Sequence, residues 1–240
     1  MSWRERFVII AHRGASFYEP ENTIAAFKRA LELGADVIEL DVRFSAEGIP
    51  VVVHDEDLSR LAGISKKIRE MTLNEIRNVK VFGREPIPTL EEALEFIDRK
   101  AGVFIELKEV GLEDRVVEIV ERLNLVDNVM IISFHLEALI KVRGLRKDID
   151  VGLISSRRLL DLRRLSSLGV RALLLRYDVV TPMMVKEAHA RGFKVFTWTI
   201  NDVALAKRYV DYGVDGIATD RPDIRRELEK HVTMSKYGHL

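Results

Sequence analysis

The chain has 240 residues, no cysteine, and 38 basic against 38 acidic residues, so its formal net charge is zero. That length suits one large domain or two small ones and is enough to bury a core, and a composition of 47% hydrophobic and 32% charged residues excludes a disordered chain. The charge balance argues against a nucleic-acid binder, the missing cysteines exclude disulfides, zinc–thiolate centres and thiol nucleophiles, and no apolar run approaches the ~18 residues of a membrane span.

At the start of the chain, Met1 to Arg6 lacks the apolar stretch of a signal peptide, from which a cytoplasmic location is expected. The first apolar run, residues 7–11, leads into His12-Arg13-Gly14, and residues 22–33 follow with helical periodicity. The second run, 37–41, contains Glu39-Leu40-Asp41. The gap after it is more than twice any other. Residues 44–88 form an insertion there, opening with a turn at 45–50 and a short strand at 51–55 that ends in His54-Asp55, which reads as a hairpin extending the second strand. A helix is predicted over 89–99.

The third run, 102–107, ends in Glu106-Leu107-Lys108 and precedes a helix over 113–123. The fourth, 129–133, ends in Ser133-Phe134-His135, with a helix over 136–145. Runs 150–154 and 171–175 are followed by helices over 159–168 and 181–191. The seventh, 194–198, ends at Trp198 and precedes Asn201 and a helix over 202–212. The eighth, 216–219, leads into Asp220-Arg221-Pro222 and a last helix over 222–231.

Eight strand–helix units imply parallel pairing and an α/β fold, a closed (β/α)8 TIM barrel formed by a single domain over 1–240 with a small insertion at 44–88. An open doubly wound sheet is the alternative, and a Gly-rich dinucleotide loop after the first strand is missing. The absence of both Cys and Gln in so charged a chain suggests a thermophilic composition.

Catalytic groups of such barrels come from the C-terminal strand ends. Glu39 and Asp41 are two apart on a strand and share a face; if it points inward, Glu106 on the next stave can join them. Three close carboxylates repel unless a cation lies between them, and all-oxygen ligation suits a hard divalent ion, Mg²⁺ or Ca²⁺, with Mn²⁺ also compatible. The alternative is that they pair with nearby arginines. His12 and His54 each follow an apolar strand, and imidazole both takes and gives a proton near neutral pH.

Arg13 and Lys108 put positive charge at the same rim, either to bind an anion such as phosphate or only to neutralise the carboxylates. Trp198 either walls a ligand or caps the barrel core. His189, His231 and His239 read as surface residues, and His135 is left open. The insertion's Leu58, Leu61, Ile64, Ile68 and Met71 either supply an apolar entrance for a lipid substrate or pack the insertion onto the barrel, and their helical spacing favours packing.

These segments in this order resemble the glycerophosphodiester phosphodiesterase family. The match is carried by His-Arg-Gly at 12–14, Pro-Glu-Asn-Thr at 20–23, Glu-Leu-Asp-Val at 39–42, His-Asp at 54–55 and Glu-Leu-Lys at 106–108. It continues through Ser-Phe at 133–134, Trp-Thr-Ile-Asn at 198–201 and the stretch 213–222 that ends in Thr-Asp-Arg-Pro. The resemblance implies a distorted TIM barrel that hydrolyses a small-molecule glycerophosphodiester to glycerol 3-phosphate and an alcohol, with no nucleic-acid partner. It implies metal ligation by Glu39, Asp41 and Glu106, general acid–base catalysis by His12 and His54, phosphate binding by Arg13 and Lys108, and a wall at Trp198. Asn22 and Thr23 look like helix-start residues that also support the site. Rival readings are a lysophospholipase D or a cyclic-phosphate-forming enzyme on the same barrel, a metal-dependent barrel lyase, and a non-catalytic barrel.

Overall fold

A computed structural model describes residues 6–234. In chain order the elements are β1 (Val8–Ala11), α1 (Ile24–Glu32), β2 (Val37–Phe44), β3 (Pro50–Val52), β4 (Asp57–Leu58), α2 (Ser59–Ala62), β5 (Ile64–Lys67), α3 (Leu73–Arg77), β6 (Lys80–Val81) and β7 (Glu85–Pro86). There follow α4 (Leu90–Ile97), β8 (Gly102–Leu107), α5 (Glu113–Arg122), β9 (Val129–Ser133), α6 (Leu136–Leu145), β10 (Asp150–Ser155) and α7 (Leu162–Ser167). The chain ends with β11 (Ala172–Arg176), α8 (Pro182–His189), β12 (Lys194–Trp198), α9 (Val203–Asp211), β13 (Gly216–Thr219) and α10 (Ile224–Met234).

Eight parallel staves close the barrel in the order β1-β2-β8-β9-β10-β11-β12-β13, with β13 pairing back onto β1. The pleat divides each stave between two cores. Ile38, Leu40 and Val42 face outward against the helices, while Val37 joins Ile10, Phe104, Ile132, Leu174 and Phe196 inside the barrel. The interior is filled: Phe104 and Phe196 meet edge to face at 5.2 Å. Such a barrel is a packed core and not a pore.

The helices start where the sequence caps them. Thr23, Thr89, Asp161, Thr181 and Asp202 each accept a hydrogen bond from a first-turn N–H, and Thr89 with Glu92 completes a capping box. Each cap stabilises its helix by about 1 kcal/mol. Asp161 also explains why the predicted helix over 159–168 begins only at Leu162: its carboxylate accepts from Arg164 N–H and leaves 156–160 as loop.

Residues 44–88 leave the barrel after β2. The hairpin is present, with β3 antiparallel to β2. The remaining short strands and turns collapse on their own cluster, including Val53, Leu58, Leu61, Ile68, Met71 and Ile76. Of the five residues expected to pack there, Ile64 is the exception and stays exposed.

Candidate active site

The inward parity of the staves fixes what stands at the mouth. Continuing each interior row upward gives His12 after Ile10, Glu39 and Asp41 after Val37, Glu106 and Lys108 after Phe104, Phe134 after Ile132, Trp198 after Phe196 and Asp220 after Ala218. β2 and β8 pair with Asp41 opposite Glu106, which brings their carboxylates together. One oxygen from each of Glu39, Asp41 and Glu106 lies within 4.8 Å of the other two, and all three residues are buried.

Each carboxylate is held from a different direction. Arg13 N–H donates to Glu39 Oε2 at 2.8 Å. Asn22 Nδ2 donates to Asp41 Oδ2 at 2.8 Å, and Asp41 N–H returns a bond to Asn22 Oδ1 at 3.2 Å. Lys108 Nζ donates to Glu106 Oε1 at 2.6 Å and lies 3.5 Å from Asp41 Oδ1. Arg13 and Asn22 both occupy the left-handed region, at φ 57 and 58°. Strain of this kind persists only where neighbours enforce it, and here Asn22 N–H donates to Arg13 C=O at 2.9 Å. Gly14 follows at φ +80°, where a Cβ would stand 2.8 Å from Ala26. The β1–α1 loop is therefore pressed onto α1 with Arg13 and Asn22 aimed at β2.

Glu39 Oε1 is buried without a hydrogen-bond partner. Burial first, and the charge of Asp41 next, push the Glu39 carboxyl up to about 8, and Glu106 is raised for the same two reasons. Asp41 is held low, to about 2: burial opposes its ionised form, but Lys108 and Arg13 outweigh it. An orphaned oxygen among three crowded carboxylates fits a hard divalent cation, which would relieve the repulsion and take the free acceptor.

The two histidines carry carboxylates on their Nδ1 atoms. His12 Nδ1 lies 2.7 Å from Asp220 Oδ1, and His54 Nδ1 lies 2.7 Å from Asp55 Oδ1. Each pairing orients its ring and leaves Nε2 for other work. The surroundings then differ. Asp220 also meets the neutral Ser16 and Asn201, at 3.0 and 2.7 Å. Asp55 is already neutralised by Arg60 at 2.7 Å, and Arg60 also grips Glu21, which pairs with Arg13. Burial disfavours the imidazolium at both rings. At His12 the bond to Asp220 and the charge of Glu39 outweigh it and raise the pKa. At His54 burial prevails, aided by Lys108 and Arg13, and the pKa falls.

A cavity of about 290 Å³ opens between these groups, lined on one side by His12, Arg13, Glu39, His54, Glu106 and Lys108. Its other side is apolar, with Ile132, Phe134, Ile154, Leu174 and Trp198. Trp198 both rests on the interior core and lines this wall; its Nε1–H donates to Leu174 C=O at 2.9 Å. Arg13 and Lys108 border the cavity while in contact with Asp41, Glu21 and Glu106.

Asp55 and Asp220 lie inside the quoted motifs, but sequence reasoning gave them no role. Parity could have found Asp220, two positions beyond the inward Ala218. Arg60 offered no local signal. Among the remaining histidines, His189 is half-buried, and its Nε2 pairs with the buried Asp215 at 2.7 Å. His231 pairs with Asp211, His135 stands near Glu137, and His239 lies outside the described residues.

A (β/α)8 barrel with acidic, basic and imidazole groups around a cavity at its mouth has the make-up of a barrel enzyme that works by acid–base chemistry. Residues 12–224 match the model of the glycerophosphoryl diester phosphodiesterase family. The chain belongs to this family and is a phosphoric diester hydrolase. It is 36% identical to a glycerophosphodiester phosphodiesterase of Caldanaerobacter subterraneus over 231 residues, covering 90% of this chain and 95% of that one. It is 32% identical to a glycerophosphodiester phosphodiesterase of Bacillus altitudinis, covering 92% and 99%. Among solved structures it resembles an Oleispira antarctica phosphodiesterase in complex with the product sn-glycerol-3-phosphate, with a TM-score of 0.85, 30% identity and coverage of 96% and 98%. Among the described residues, no helix is long and apolar enough to cross a membrane.

Proposed function

We propose that this chain hydrolyses small glycerophosphodiesters to glycerol 3-phosphate and an alcohol, with Glu39, Asp41 and Glu106 holding one divalent ion, Mg²⁺, Ca²⁺ or Mn²⁺, and His12 and His54 moving the protons. The observation that carries this reading is that the acidic cluster shares one cavity with two rings that each use Nδ1 on a carboxylate. A bound divalent ion would supply Lewis-acid charge to phosphate oxygens. Arg13 and Lys108 add positive charge on the same side, stabilising the developing phosphorane.

His54, whose partner's charge is neutralised by Arg60 and whose burial disfavours the imidazolium, is the ring suited to take the proton of the glycerol C2 hydroxyl. That oxygen attacks phosphorus in line. His12, whose imidazolium the Asp220 carboxylate favours, protonates the leaving alkoxide. The cyclic phosphate then opens with water as the roles reverse: His12 takes the water proton and His54 returns one to the C2 oxygen. Environments that push two titrating groups in opposite directions assign acid and base.

Phosphorus NMR and alcohol release from glycerophosphocholine test the proposal. EDTA should abolish turnover and one of the three ions restore it. His12→Ala and His54→Ala should each cost roughly 10²–10⁴ in kcat. Near wild-type turnover in either variant, or full activity in EDTA, would refute this assignment.

A further inference from the structure

Arg60 belongs to the insertion, on the short helix α2. Its neighbours Leu58 and Leu61 are both sunk in the insertion's own apolar cluster, which fixes the backbone there, and the Arg60 side chain stays 46% exposed. Its guanidinium makes three short bonds to two carboxylates. Nε donates to Asp55 Oδ2 at 2.7 Å, and the two terminal nitrogens donate to the two oxygens of Glu21 at 2.8 and 2.7 Å. A planar fork can hold one carboxylate on each of two edges, which a point-like ammonium cannot. Asp55 in turn holds His54 Nδ1 at 2.7 Å, and Glu21 accepts from a terminal nitrogen of Arg13 at 2.9 Å. The charges alternate in sign from Asp55 through Arg60 and Glu21 to Arg13. His54 and Arg13, at the two ends, both line the catalytic cavity, whereas Asp55, Arg60 and Glu21 stand behind it.

The insertion meets the same loop a second time. Arg84 donates to Glu19 Oε2 at 2.6 Å, and Glu19 lies two residues before Glu21 in the β1–α1 loop. This second pair is a plain surface contact. Among the described residues, neither partner lines the cavity and neither side chain is paired with a residue that does. The two arginines therefore separate two roles. Both dock the insertion on the β1–α1 loop, but only Arg60 is joined to groups that face the substrate.

We propose that Arg60 is a positioning residue for phosphodiester hydrolysis: by bridging Asp55 and Glu21 it holds the His54 ring and the Arg13 guanidinium in one fixed relation around the phosphate. This rests on the roles given to His54 and Arg13 above. Without the guanidinium, Asp55 and Glu21 lose the cation they share. Each then relaxes separately and carries its partner with it, His54 with Asp55 and Arg13 with Glu21. A displacement of about 1 Å at reacting groups costs roughly 10²-fold in rate. Asp55 also directs its whole charge at His54 once Arg60 is gone, which favours the imidazolium over the neutral ring that takes the C2 proton. The other charges that this ring feels are those of Asp41, Lys108 and Arg13. The insertion is thereby a working part of the catalytic apparatus.

Steady-state kinetics of glycerophosphocholine hydrolysis by the metal-loaded enzyme test this, with thermal melts of each variant. Arg60→Met keeps the length of the stem at a half-exposed site, so the melting temperature should move by about 2–4 °C at most. Its kcat/KM should fall roughly 10–100-fold, and the acidic limb of the pH profile should move to higher pH. Arg60→Lys keeps the charge and should bring that limb back, but without the fork it should recover only part of the rate. Arg84→Met breaks the other contact with the loop and should stay within about twofold of wild type. Near wild-type kinetics in folded Arg60→Met, equal losses in Arg60→Met and Arg84→Met, an acidic limb that Arg60→Met leaves unmoved, or full recovery of rate in Arg60→Lys would each overturn the proposal. If His54→Ala still loses roughly 10²–10⁴ in kcat, the hydrolytic reading survives that failure; if it does not, that reading falls as well.

Discussion

His12 and Asp220 are 208 residues apart in sequence and 2.7 Å apart in space. The carboxylate fixes the ring and favours its cation, so in the proposed mechanism Asp220 acts on the reaction through His12. Asp220→Asn keeps the size and one hydrogen bond but removes the charge. We expect kcat to fall by roughly 10²-fold or more with little change in KM. Losing that charge lowers the His12 pKa, so the basic limb of the pH–rate profile should move to lower pH; an unmoved limb would mean that Asp220 is only structural.

Glu39 makes the opposite demand on the fold. Its carboxyl titrates higher in the folded chain than when free, at about 8 against 4.5. A raised pKa stabilises the fold below the unfolded value and loses that contribution as pH rises through the folded one. Thermal melts of EDTA-treated protein should show the melting temperature dropping as pH rises through about 8, and Glu39→Gln should flatten the drop. A saturating divalent ion should remove it in the wild type and raise the melting temperature, because it binds only the folded cluster. Glu39 and Asp41 were legible as neighbours because strand parity is a local property. The partners of the histidines were not, since they depend on which loops the closed barrel brings together.

At the scale of elements, the eight staves were readable because each is a short β-rich run between a helix and a turn. The structure lengthens β2 to Phe44, where the predicted run stopped at Asp41, because Val42, Arg43 and Phe44 pair with β3. The interior of the insertion was not readable. β4, β6 and β7 are two residues long and carry no period, and only their packing around Leu58 and Ile68 defines them. The staves also hide a size constraint. At Gly216 on β13 a Cβ would stand 2.6 Å from both Val8 Cγ2 and Val8 C=O. A side chain can turn away, but the backbone oxygen of a paired stave cannot without opening the β1–β13 seam. Gly216→Ala should therefore destabilise the protein by about 1–3 kcal/mol in denaturant titration. A neutral result would mean that the seam closing the barrel is slack.

Over the whole molecule the two ends of the barrel carry different burdens. The mouth gathers crowded carboxylates and strained loop residues, and the opposite end gathers satisfied ones. Asp36 accepts from Ile9 N–H and is paired with Arg6 and Arg225, tying β1, the segment before it and α10 together. Asp215 accepts from Val195 N–H at 2.8 Å, His189 at 2.7 Å and Lys194 at 3.0 Å, joining α8, β12 and β13. Burial opposes its charge, but the bond from His189 and the Val195 N–H outweigh it and hold its pKa low. A depressed pKa gives stability that is present above the unfolded value and is lost as pH falls through the folded one.

Asp215→Asn should therefore cost about 2–4 kcal/mol near neutral pH, or roughly 5–15 °C of melting temperature for a chain this size. Part of the wild type's acid sensitivity should vanish with it. Because Asp215 lies a barrel's length from the mouth, kcat/KM on glycerophosphocholine should stay within about twofold of wild type at a temperature where both proteins are folded. A large loss of activity in folded Asp215→Asn would show that the two ends are coupled through the packed interior, contrary to the division of labour that the staves impose.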